Sequence, residues 1–177
     1  MKKKFILLSL VCVLFMLSGC TEQVPKPDFE TKTAMVENEG KKYTLEIPED
    51  WDHFLTGMDF APTGTELTED KDLHGKNLDI RIEENNDAII ELLNGNPESY
   101  ENSRDSDDER YTYSYYKNQN EKIVLVEIAA EICCKDDGVV FAYKENCPAY
   151  VMMIPTKADD GNAKSIALNA ISTLRAE

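Results

Sequence analysis

The sequence predicts an α+β fold: a mainly antiparallel β-sheet with a three-strand C-terminal meander, covered by a mid-chain helix and a C-terminal helix. Three observations predict it. Apolar and polar residues alternate in short runs, most clearly at Tyr43-Thr44-Leu45-Glu46-Ile47 and at Leu78-Asp79-Ile80-Arg81-Ile82, and period two marks a strand with one buried face. From Lys122 to Ile154 the chain is rich in β-branched and aromatic residues and is broken twice by turn-forming groups, which folds it back on itself as neighbouring antiparallel strands. The period then changes. Ala163, Ile166, Ala167, Ala170, Ile171 and Leu174 make an apolar stripe at helical spacing, and such a stripe has to be buried against the sheet.

Taken from the N-terminus, Met1 is followed by Lys2, Lys3 and Lys4, and among residues Phe5 to Leu17 only Ser9 carries a polar side chain. A charged start and an apolar core are the layout of an export signal. A helix of that length, at about 1.5 Å per residue, reaches roughly 20 Å, short of a hydrocarbon core about 30 Å thick. Leu17-Ser18-Gly19-Cys20 comes next. An aliphatic residue, two small ones and a cysteine in that order resemble the lipobox of bacterial lipoproteins. The resemblance implies diacylglyceryl transfer to the Cys20 thiol, removal of residues 1–19, and a mature chain that begins at Cys20. Two acyl chains hold a protein on a membrane where one does not, so the expected location is the cell membrane, lipid-anchored, on its extracytoplasmic face.

Residues 20–32 are polar, contain Pro25 and Pro27 and show neither period; they read as the lipidated cysteine and a flexible tether. A single domain is expected over 33–177, with the strand at Tyr43 to Ile47 ended by Pro48. Residues 52–77 hold Gly57, Pro62, Gly64 and Gly75, leaving room for at most a short strand. Asn86 suits an N-cap for a short helix carrying Ala88, Ile89, Ile90, Leu92 and Leu93, stopped by Asn94-Gly95 and Pro97. After the charged stretch 99–110, Tyr111 to Tyr116 reads as a Tyr-rich strand. Lys122 to Cys134 is the longest strand candidate, apolar on both faces in its first half, and is expected at the sheet centre. Lys135-Asp136-Asp137-Gly138 reads as a hairpin turn, followed by strands at Val139 to Tyr143 and Ala149 to Ile154, and the closing helix spans Asn162 to Leu174.

Tyr43-x-Leu45-x-Ile47-Pro48-x-x-Trp51, a long meander and a closing apolar helix together resemble the PsbP-like fold. That group includes the photosystem II extrinsic protein, a Ran-binding nuclear-import factor and many bacterial lipoproteins. The resemblance implies a docking or accessory role and assigns no binding residues.

The chain carries 19 basic and 34 acidic residues; removing 1–19 takes away three lysines and no acid, so 16 stand against 34 and the mature net charge is −18. Such a field opposes nucleic acid and anionic headgroups. It leaves solubility or a basic partner as its uses. The two histidines, His53 and His74, lie in no ligand spacing and read as polar loop residues. Gly75-Lys76 ends no phosphate-cradling loop, because Asp70 occupies the place of the first glycine. Asp105, Asp107 and Glu109 alternate as calcium ligands do, but Arg110 replaces the turn glycine and Tyr116 the bidentate glutamate; a solvated acidic loop is expected. Trp51 reads as a core plug, and Tyr111, Tyr113 and Tyr115 as one half-buried strand face, with Tyr116 turned away. No catalytic, cofactor-binding or metal-ligating residue is assigned; the one modified residue is Cys20.

Cys133, Cys134 and Cys147 remain after Cys20 is lipidated. An exported protein favours disulfides, yet the meander puts Cys147 at the far end of a strand from the other two, roughly 16 Å away. A bridge needs Cα atoms within about 7 Å, so Cys147 is expected to pair with neither. The functional expectation is a non-enzymatic accessory or protein-binding domain with a protein partner in the envelope. An envelope hydrolase using acidic residues and a small-ligand binder using the Tyr-rich strand are the alternatives.

Overall fold

The computed structural model describes residues 22–54, 58–65, 77–82, 111–128, 138–154 and 162–177. Within them the strands are β1 (Glu22–Gln23), β2 (Thr31–Asn38), β3 (Lys41–Pro48), β4 (Trp51–His53), β5 (Asp59–Pro62), β6 (Asn77–Ile82), β7 (Tyr111–Asn118), β8 (Glu121–Ile128), β9 (Val139–Lys144), β10 (Ala149–Ile154) and β11 (Arg175–Ala176), and the helix is α1 (Asn162–Thr173). Eight strands make one sheet in the order β1-β7-β8-β9-β10-β6-β5-β4; the second sheet is β11-β3-β2. Every pairing is antiparallel except that of β1 with β7. The fold is α+β, and β8, β9 and β10 form the C-terminal meander.

Strand alternation decides which side chains meet the helix. Ile123 and Leu125 of β8, Val140 and Ala142 of β9, and Ala149, Val151 and Met153 of β10 share one core with Ile166, Ala167, Ala170, Ile171 and Leu174. Each fully buried valine, leucine, isoleucine or methionine side chain there contributes about 1.5–3 kcal/mol from leaving water. Val124 and Val126, on the opposite face of β8, are buried too, as an unbroken apolar run requires.

The second sheet explains why α1 is buried beyond its apolar stripe. The helix lies against β8, β9 and β10 on one side and β3 on the other, so Leu168, Asn169 and Ser172 are buried as well. Asn169 donates to the Glu46 carbonyl at 3.2 Å, and the Glu46 N–H donates to Thr173 Oγ1 at 2.9 Å. α1 has no basic residue in its last turn, and other elements cap it. Asn118 and Arg175 donate to the Ser172 carbonyl, each at 3.1 Å, Arg175 also reaches the Leu174 carbonyl at 2.9 Å, and Lys144 Nζ donates to that same carbonyl. The partial negative charge of the helix C-terminus holds both cations. Lys144 is 4% exposed; burial, then the charge of Arg175, pushes its pKa below the ordinary lysine value.

Several expectations need correction. The segment expected to be a flexible tether is docked over its described part: Glu22 and Gln23 pair with Tyr116 and Lys117, the Val24 N–H donates to the Lys117 carbonyl at 3.3 Å, and Val24 and Phe29 pack on the core. β2, at Thr31–Asn38, precedes the strand at Tyr43 to Ile47 that was expected to be the first. Two short strands, β4 and β5, stand where at most one was expected, anchored by the buried Trp51 and Phe60. β8 lies inside its sheet, but the middle falls between β9 and β10, because β6, β5 and β4 extend the sheet beyond β10. The mid-chain helix at 86–94 lies outside the described residues, as does the turn 135–137; Gly138 has φ +67°, the left-handed conformation glycine permits. Among the described residues, no helix is long and apolar enough to cross a membrane.

Candidate functional site

The hairpin of β2 and β3 has an open side, and its turn fixes which backbone groups face it. Asn38 pairs with Lys41 across Glu39 and Gly40, whose φ values are +50° and +79°. Two positive φ values define a type I′ turn, in which the closing residues exchange both backbone hydrogen bonds. Hydrogen-bonded pairs then alternate along an antiparallel ladder, so Asn38, Val36, Ala34 and Lys32 bond to β3. The N–H and C=O groups of Thr31, Thr33, Met35 and Glu37 point the other way. The same phase on β3 sends Lys42, Thr44 and Glu46 toward β11 and α1, which is where the Glu177 N–H reaches the Lys42 carbonyl and where Thr173 and Asn169 meet Glu46.

Among the described residues β2 is an edge strand of eight residues, whereas the other three sheet edges end in β1, β4 and β11, of two, three and two residues. Short edge strands prevent unwanted pairing, and a long regular one offers a template. β2 has no proline, and its register with β3 runs unbroken from Thr31 to Asn38. Its inner face supplies Val36, 2% exposed, and the half-buried Ala34. Its outer face carries Met35, 51% exposed and the exposed large hydrophobic side chain among the described residues.

Beyond Thr31 the ladder continues for one bond, from the Glu49 N–H to the Glu30 carbonyl at 3.0 Å. This brings the two carboxyl groups together beside a surface hollow of about 400 Å³ lined by Phe29, Glu30, Glu49 and Asp50. A hydrogen bond with Glu30, and then the charge of Glu30, raise the pKa of Glu49 above the ordinary carboxylate value. Next to it, Asp52 accepts from Thr63 Oγ1 at 2.6 Å and from Lys32 Nζ at 2.9 Å, and these bonds, in that order, lower its pKa. The strand end is therefore acidic, with one aromatic side chain in it.

The residues singled out from the sequence fall elsewhere. Trp51 is buried in the core and His53 is exposed against Phe60, their rings 4.6 Å apart. His74, Asp70, Gly75, Lys76 and Asp105 to Arg110 lie outside the described residues. Tyr116 is buried on the helix side of β7, while Tyr113 and Tyr115 are half-buried on the opposite face. That face continues across β9 and β10 with Phe141, Tyr143 and Tyr150, whose ring centroids are 5.0 to 6.3 Å apart. Cys147 carries a free, half-buried thiol whose pKa burial raises; Cys133 and Cys134 lie outside the described residues. Met35, Phe29, Glu30 and Glu49 were not singled out from sequence. Asn38-Glu39-Gly40-Lys41, a hairpin turn in form, was the signal that could have led to them.

Comparison with protein-family models and with curated proteins gave no match.

Proposed function

We propose that the mature chain is a lipid-anchored domain on the extracytoplasmic face of the cell membrane, held there by Cys20, and that it serves as a non-enzymatic accessory protein that docks a protein partner. The address rests on the Leu17-Ser18-Gly19-Cys20 box behind an apolar core too short to span. The docking role is carried by one observation: an eight-residue edge strand with an exposed methionine, where the other sheet edges among the described residues end in strands of two or three residues.

The carboxylates at the strand end favour docking over hydrolysis. Glu30 and Glu49 are both exposed at the rim of an open surface hollow, whereas a catalytic carboxylate pair flanks a substrate held between its members. The aromatic face of Tyr113, Phe141, Tyr143 and Tyr150 supports a second use, stacking of a small planar or sugar ligand. Quenching of tyrosine fluorescence by such a ligand, lost in Tyr143→Ala, would favour it.

Affinity capture from detergent-solubilised membranes tests the main proposal. A stoichiometric protein partner is expected, and its absence contradicts docking. Cys20→Ala is expected to abolish acyl labelling and leave the protein released or uncleaved; unchanged labelling contradicts the anchor.

A further inference from the structure

We propose that β2 receives its partner as an added strand: an extended, basic segment that pairs with the outward backbone groups of Thr31, Thr33, Met35 and Glu37 and brings a lysine or arginine to the acidic hollow at Glu30. This rests on the protein-docking role and gives it a surface and a partner chemistry.

Four residues facing outward on an antiparallel edge present four N–H donors and four C=O acceptors, and strand addition satisfies them in one step. The segment must be extended, because only an extended chain matches the spacing of those groups, and about eight residues at 3.3 Å cover the edge. Thr33, Met35 and Glu37 supply the side chains next to the new strand, and Met35 gains an apolar neighbour.

Charge selects the partner. A strand laid along the whole edge comes level at one end with Glu30, which directly precedes Thr31. There Glu30, Glu49 and Asp50 surround Phe29, and the two glutamates are close enough that Glu49 holds its proton more tightly than an isolated carboxyl. A cationic side chain placed in the hollow relieves that repulsion and lies against an aromatic ring. The mature net charge of −18 adds long-range attraction for a basic chain. The same charge opposes a second copy of this chain as the occupant, since pairing two β2 edges would bring two hollows and two fields of one sign together.

The test uses the full chain and three labelled peptides, each of ten residues with threonine and valine alternating with a variable position. One carries lysine there, the second lysine with every backbone nitrogen methylated, so that neither of its edges can donate, and the third glutamate. The lysine peptide is expected to bind at low salt, and the methylated and glutamate peptides at least tenfold more weakly. Met35→Pro removes an outward donor and no bond to β3, so it is expected to weaken the lysine peptide at least tenfold. Glu30→Gln with Glu49→Gln is expected to weaken it severalfold and to flatten its salt dependence.

Equal binding of the methylated peptide would overturn the proposal, reducing the surface to its charge. Equal binding of the glutamate peptide, no binding of any peptide, or a dimer of the chain that Met35→Pro dissolves would overturn it too. If Met35→Pro fails to fold, the methylated peptide on the unaltered chain decides alone. Capture from membranes separates the two levels: a partner retained undiminished by a folded Met35→Pro sinks strand addition and spares docking, whereas no partner at all sinks docking.

Discussion

The eight-stranded sheet ends in β1 and β4, strands of two and three residues, while the three-stranded sheet ends on one side in β11, of two residues, and on the other in β2, of eight. Stability alone does not account for the contrast. The large sheet keeps a deep core under two short edges, because its interior strands β8, β9 and β10 meet α1. β2 sends only Val36 and, in part, Ala34 into the core, yet it holds eight residues in regular pairing with β3. A strand that buries so little and pairs so regularly is shaped by its open side.

The largest effect that can break this contrast comes from proline on either phase of β2. Val36→Pro removes a bond to β3 and a buried side chain and is expected to lower stability by about 4 kcal/mol, whereas Met35→Pro, facing out, is expected to cost about 1 kcal/mol or less. Urea unfolding measures both, and equal losses would mean that the assigned phase of the ladder is wrong. Ile171→Ala, in the helix between the sheets, is expected to lose about 3 kcal/mol, with both sheets melting together. A loss confined to the large sheet would show that α1 does not couple them.

Lys144→Met is smaller, about 1–2 kcal/mol near neutrality, since Arg175 still reaches the Leu174 carbonyl. Its signature is pH. Burial lowers the folded pKa of Lys144 below the unfolded value, so between the two the unfolded chain binds more protons and stability rises with pH. Urea melts taken from neutrality into the ordinary lysine range should show this rise in the parent chain and not in Lys144→Met; parallel curves would mean that the ammonium is not held in the interior. Phe29→Ala, in a half-buried position, is expected to cost about 1 kcal/mol. No change would return the segment before β2 to the role of a free tether.

Legibility in the sequence followed burial. Tyr43, Leu45 and Ile47, the apolar run of β8 and the stripe of α1 are buried in the structure as their spacing predicted, because each is an element whose period is written by its core face. Thr31 to Asn38 could not be read that way: only Ala34 and Val36 put apolar side chains on the inner face, Met35 is apolar but exposed, and threonine, lysine, glutamate and asparagine fill the rest. β1 is held by its pairing with β7, and two residues have no period. Nor does sequence spacing show which strand lies at an edge, since that depends on the order in which distant strands pair. The acidic hollow has the same origin, as Glu30 and Glu49 are 19 residues apart and meet only through the hairpin register.

The central claim is that the free side of β2 is open, and residue-resolved amide hydrogen exchange tests it most directly. In the isolated chain the amides of Thr33, Met35 and Glu37 should exchange orders of magnitude faster than those of Ala34, Val36 and Asn38, which bond to β3. Adding the lysine peptide should slow the fast set alone. If all six amides are equally protected in the isolated chain, the edge is already paired, and β2 is not a docking strand.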